Sequence, residues 1–156
     1  MKKIILLVFL FTLAVYSQKP PNLSLFKTQK EKLQTWLNYC AAVSDAENYK
    51  HLIDVANQGI RLAKNNEIYL TKFCFFKGYG YEYNNNQYAQ AIFCFEKSLY
   101  YAQKNKLLED ETSALMRLNY NYYSNRNFDK RDQLIIYIKK ILDTTKNNYT
   151  KAVLNG

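Results

Sequence analysis

From about Thr28 onward, apolar residues recur every three to four positions, and polar clusters break that rhythm at short intervals. This is the pattern of amphipathic α-helices, and it predicts an all-α chain. No proline occurs from position 22 to 156, which removes the strongest helix breaker from the region. The breaks fall at Ser44-Asp45, Asn65-Asn66, Asn84-Asn85-Asn86, Asn125-Arg126-Asn127 and Asn147-Asn148. They predict helices over about 28–43, 46–64, 67–83, 87–104, 108–124 and 128–145, with a seventh starting at 147 and running to 156. Asp45 or a neighbour is expected to cap the second helix. Asparagine suits the turns through its capping ability and its tolerance of left-handed backbone.

Two residue series run through these helices. Tyr49, Tyr88 and Phe128 open the second, fourth and sixth, at steps of 39 and 40. Trp36, Phe75, Leu115 and Leu154 recur at 39, 40 and 39. Series in phase at this period indicate stacked helix pairs, in which no pair can bury its apolar face alone. The repeats are expected at about 28–65, 66–106 and 107–146, with an incomplete fourth at 147–156. An unfinished fourth repeat would expose apolar surface, so self-association through it is expected.

In the second unit, Gly78 and Tyr81 of the first helix are followed by Tyr88, Ala91, Phe95 and Ser98 of the second. The third unit places Leu115, Leu118, Asn119 and Tyr122, then Phe128, Arg131, Ile135 and Ile138, in those roles. The first uses Trp36, Tyr39, Cys40 and Val43, then Tyr49, Leu52, Ala56 and Gly59. This alternation of small and aromatic residues resembles the tetratricopeptide repeat in a divergent, long-period form. Arg131 departs from the family pattern at a small position, and no proline closes the repeats. The resemblance implies a right-handed superhelical solenoid of antiparallel helix pairs whose first helices line a concave groove. Carried onto this chain, the groove comprises Leu37, Ala41, Phe75, Tyr79, Glu82, Tyr83, Met116, Tyr120 and Tyr123. Tyrosine supplies rigid contact area with a polar tip, which suits peptide recognition; packing between long helices would use the same residues. The family's clamp for C-terminal carboxylates does not transfer, because Leu37, Ala41, Phe76 and Ser113 occupy its positions and only Arg117 suits it.

The first 17 residues follow another pattern. Lys2-Lys3 precede an apolar run from Ile4 to Val15, with Ser17 at a plausible cleavage point. That layout is a signal peptide, too short to span a bilayer comfortably, with an uncleaved anchor as the alternative. It predicts export to the periplasm or cell exterior, membrane contact only through this segment or a missing downstream one, and a linker at 18–27 around Pro20-Pro21. Long repeats behind a signal peptide look like the extracytoplasmic sensor regions of some bacterial histidine kinases and helix-turn-helix regulators. A secreted scaffold without an output domain has the same architecture.

Charge and chemistry alter this picture little. Lys and Arg number 22 against 13 acidic residues, and without Lys2 and Lys3 the excess is about +7. The lysines are spread over many helices, which describes a solvated basic surface rather than a nucleic-acid site. Cys40, Cys74 and Cys94 lack the spacing of zinc ligands and sit among apolar neighbours, as buried thiols or with Cys74 and Cys94 bridged. His51 is the only histidine. Glu109-Asp110-Glu111 fits a helix's first turn better than acid–base work, and no phosphate loop or nucleophile elbow is present. The expected function is therefore non-enzymatic binding of a protein or peptide, without cofactor or metal; a small helical enzyme is the remote alternative.

Overall fold

The computed structural model describes residues 19–155, so the expected signal peptide lies outside the described residues. A single 3-10 turn at Leu23–Leu25 precedes seven α-helices. These are α1 (Gln29–Asp45), α2 (Tyr49–Ala63), α3 (Glu67–Tyr83), α4 (Tyr88–Lys104), α5 (Leu108–Ser124), α6 (Phe128–Thr144) and α7 (Asn148–Asn155). No strand occurs among the described residues. Each helix packs on the next, and α1, α3, α5 and α7 also stack on one another in order. The result is an all-α solenoid of antiparallel helix pairs. None of these helices is long and apolar enough to cross a membrane.

Side-chain caps set most of the helix starts. Thr28 and Glu31 form a reciprocal capping box at α1. Asn48, Asn66, Asn127 and Asn147 accept from His51, Tyr69, Lys130 and Thr150 backbone N–H groups at α2, α3, α6 and α7. Positive φ falls mainly to other residues: Glu47, Lys64, Lys106 and Arg126, with Asn85 and Asn86 in the one longer turn. This corrects the expected boundary between the first two helices. Asp45 is the last residue of α1 and caps nothing; the chain turns at Glu47, and α2 begins at Tyr49. The linker is also more structured than expected, since Asn22 caps the 3-10 turn and Leu23 packs on the core.

Lys64 has φ 51° and ψ −108°, outside the small left-handed region open to side-chain-bearing residues. Glycine removes that strain, so Lys64→Gly should raise stability by about 1 kcal/mol. Urea unfolding measures it directly, and a lowered midpoint would refute strain at this turn.

The first core cluster joins α1, α2 and α3 through Leu33, Trp36, Cys40, Leu52, Val55 and Phe73, all nearly or fully buried. Trp36 donates its indole N–H to the Val55 carbonyl at 2.8 Å, which satisfies the buried polar handle of the ring. The second joins α4 to α5 through Ala91, Ile92, Phe95, Leu118 and Tyr122. Each large apolar side chain withdrawn from water contributes about 2–3 kcal/mol. Small residues make these approaches close, as Gly59 lies against Phe73 and Gly78 against Phe95. Packing thins along α6, where Ile138 is the only buried residue. Phe128, expected to anchor the third unit, is half exposed and meets Tyr123 edge-on at 6.0 Å.

The structure also shifts the repeat register. The residues preceding the first helices, Thr28, Asn66, Leu107 and Asn147, lie 38, 41 and 40 apart. α2 has 15 residues where the other paired helices have 17, and the turn at 84–87 has one residue more than the others. Counted from helix starts, Trp36 and Leu115 are therefore equivalent to Cys74, not to Phe75. Burial agrees, since Trp36, Cys74 and Leu115 are core residues and Phe75 is only partly covered.

Candidate functional site

Stacking of α1, α3 and α5 sets equivalent turns side by side. Eight residues beyond each helix start stand Leu37, Phe75 and Met116; twelve beyond stand Ala41, Tyr79 and Tyr120. These rows lie on one stripe of each helix, since positions separated by three or four residues share a face. Between the helices is a cavity of about 360 Å³, lined by Leu37, Asn38 and Ala41 of α1, Lys72, Phe75 and Phe76 of α3, and Asp110 and Ser113 of α5. Lys72 reaches both Asp110 oxygens, at 2.9 and 3.1 Å, and so links α3 to α5 at the cavity wall. With that pair closed on itself, the lining offers apolar and aromatic surface with few free polar groups.

Beyond the cavity the stripe becomes aromatic. Tyr83 lies 5.0 Å from Tyr49 and 4.6 Å from Tyr79 between ring centroids. Phase between units explains this cluster, because Tyr49 at the start of α2 meets the first helix of the next pair. Tyr88 repeats the arrangement edge-on to Tyr120 at 6.2 Å. The Arg117 guanidinium lies over Tyr79 at 4.6 Å and over Tyr83 at 5.8 Å, and donates to the Tyr83 hydroxyl at 3.3 Å. Burial raises the Tyr79 phenol above its ordinary range, so it stays a neutral donor at physiological pH.

Two residues assigned to the groove lie elsewhere. Glu82 is buried beneath the stripe, accepting from Arg117 at 2.9 Å and from Asn121 Nδ2 at 2.6 Å. Tyr123 turns toward α6, against Phe128 and under the Arg131 guanidinium at 5.1 Å. Both stand 15 residues beyond their helix starts, two turns from Phe75 and Met116, so neighbouring side chains and not helical phase divert them. Arg117 and Asn121 of α5 hold Glu82, and Phe128 and Arg131 of α6 meet Tyr123. Conversely, Asn38, Lys72 and Asp110 entered the lining without having been singled out for it. Counting from caps instead of from the aromatic series would have found them. Of the other repeat residues, Ala91, Phe95, Leu115 and Tyr122 are buried, while Tyr81 and Tyr88 are half-buried.

The groups capable of chemistry are engaged elsewhere. His51 Nε2 and the Tyr39 hydroxyl share a hydrogen bond at 3.0 Å, away from the groove. Cys40, Cys74 and Cys94 are unbridged and buried. Burial pushes the Cys40 thiol up to about 12 and the Cys94 thiol to about 11, which keeps both protonated and weakly nucleophilic. Among the described residues no cluster of His, Cys, Asp and Glu is arranged to hold a metal. No protein-family model matches the chain, and comparison with curated proteins and with solved structures returns no significant match.

Proposed function

We propose that this chain is a non-enzymatic, peptide- or protein-binding solenoid of the tetratricopeptide type, exported and serving as the sensor portion of a signalling protein. One observation carries the binding reading. Three stacked first helices present a continuous apolar–aromatic stripe, from the cavity at Leu37, Phe75 and Phe76 to the tyrosines at 79, 83 and 120. Met116, Tyr83 and Tyr120 remain 40%, 45% and 50% exposed although large and apolar-bodied. A stripe of this kind suits an extended or helical peptide whose side chains enter the cavity and stack on the rings. The signal-peptide pattern at 1–17 supports export, and the long-period repeats behind it support the sensor assignment.

Panning a random dodecapeptide display library against the chain, then titrating an enriched peptide, tests the reading. Tyr79→Ala/Tyr120→Ala should weaken binding at least about tenfold, because aromatic anchors commonly contribute 2 kcal/mol or more each. Met116→Ala, at an exposed site, should weaken it less and leave the fold intact. Absence of any enriched peptide, or unchanged affinity in a double variant that keeps its helical circular dichroism, would sink the groove.

A further inference from the structure

On α3, Lys72, Phe76, Tyr79 and Tyr83 face the groove, whereas Leu70, Cys74, Lys77 and Tyr81 fall on the opposite side by helical periodicity. That opposite side has its own pair of adjoining cavities, about 160 and 370 Å³, which share Lys77, Phe93 and Cys94. The smaller lies between α2 and α4, over buried Leu70, Cys74 and Cys94. Phe93 stands beside it and is 56% exposed. Lys97 places its ammonium 4.5 Å from the Phe93 ring, and Lys77 lies 5.7 Å from the Tyr81 ring.

The charge here is one-sided. Ion pairs among the described residues engage Lys72, Lys104, Arg117 and Lys130, and leave Lys77 and Lys97 without a carboxylate. No acidic residue lines either cavity. A ring face attracts a cation weakly and leaves its charge unneutralised. Two uncompensated ammonium groups beside an apolar recess therefore complement a ligand with carboxylates around an apolar side chain.

We propose that this second face binds an acidic peptide segment. Carboxylates of the segment pair with Lys77 and Lys97, one aliphatic side chain fills the smaller cavity, and Phe93 covers it. The smaller cavity, about 160 Å³, is sized for one such side chain. Two cations are too few to track a nucleic-acid backbone, which uses many phosphate contacts. The site is independent of the groove, because it lies across α3 from it.

Fluorescence anisotropy with the full chain tests this, using fluorescein-labelled Glu-Asp-Leu-Asp-Glu and its amide counterpart Gln-Asn-Leu-Asn-Gln. The acidic peptide should bind at least about tenfold more tightly, and Lys77→Gln/Lys97→Gln should remove about tenfold of that affinity. Replacing the central Leu by Gly should weaken binding further, whereas Tyr79→Ala/Tyr120→Ala should leave it unchanged. Equal affinity for the two peptides overturns the proposal, as does an undiminished double variant. So does an equal loss in Lys30→Gln/Lys139→Gln, which would reveal diffuse attraction to a basic surface. A preference for phosphatidylserine vesicles over the acidic peptide would reassign the face to membranes and equally refute it.

Discussion

Gly59→Ala is expected to destabilise the fold by about 2–3 kcal/mol, although alanine is the better helix former by about 1 kcal/mol. Gly59 lies within α2, where nothing in its backbone requires glycine. The reason is the neighbour. A methyl group there would sit 2.5, 2.6 and 2.8 Å from three atoms of the Phe73 ring. Phe73 is fully buried in the first core cluster, so the ring has no open space to enter. Overpacking must then push α2 away from α3, and the whole cluster from Leu52 to Tyr69 lies at that seam. Phe73→Leu alone should cost stability by leaving a void, yet in combination with Gly59→Ala it should recover part of the loss. Urea unfolding of the four species completes the cycle. A Gly59→Ala protein as stable as the parent, or a double variant with strictly additive losses, would show that this contact does not limit the approach of the two helices. Gly78 follows the same logic more mildly, with ring atoms of Phe95 at 2.9, 2.9 and 3.0 Å.

Such close approaches show which parts of the fold the sequence could disclose. Tyr49, Tyr88 and Phe128 do open α2, α4 and α6, because helix starts are marked by local residues, with asparagine caps at α2 and α6. α3 and α5 also have the expected ends, α3 with an Asn66 cap and α5 without a side-chain cap. Left-handed backbone at Glu47 was not legible, since any residue adopts it where packing on both sides outweighs a cost of about 1–2 kcal/mol. Nor was the unequal length of the units visible to a series tuned to 39 and 40. A shortened α2 and a lengthened turn at 84–87 partly offset each other over two units and conceal a one-residue slip in α3. That slip put Phe75 in the core series while Cys74 holds the buried position. Leu37, Tyr79 and Tyr120 nevertheless fell on the stripe, since a helix face tolerates an error that keeps the three-to-four spacing. Glu82 and Tyr123 did not, because partners on the next helices, Arg117 and Asn121 for one and Phe128 and Arg131 for the other, hold them away from it. The face carrying Lys77, Lys97 and Phe93 is assembled from three helices, and no local pattern announces it.

Glu82→Ala is expected to cost about 3–4 kcal/mol, and it tests what holds the aromatic stripe in place. The carboxylate lies between α3 and α5, where Arg117 and Asn121 both donate to it. Removing it leaves a largely buried guanidinium without its counter-charge, the situation in which breaking a buried pair is most costly, while Asn121 Nδ2 keeps only the Arg117 carbonyl. Two further atoms there, the donor Arg117 Nε and the acceptor Asn121 Oδ1, already lack partners, so the network is incompletely satisfied even with the carboxylate in place. Breaking the pair is not equivalent to neutralising it. Burial raises the Glu82 carboxyl above its ordinary value of 4.5, and the opposing hydrogen bond from Asn121 and attraction of Arg117 do not fully cancel that. A raised folded-state value means that the protonated form is favoured by folding. The stability this contributes is complete below about pH 4.5 and is lost as pH rises through the elevated folded value. Glu82→Gln keeps the shape and never ionises, so it should gain on the parent across that interval and then hold a constant difference at higher pH. Urea midpoints of parent, Glu82→Gln and Glu82→Ala measured from pH 4 to 8 separate the two effects. If Glu82→Gln instead lost ground with rising pH, the ionised pair would be a net stabiliser and burial would not dominate. Since Arg117 rests on Tyr79 and Tyr83, Glu82→Ala should also loosen those rings, and it should weaken peptide binding in the groove even where the fold survives.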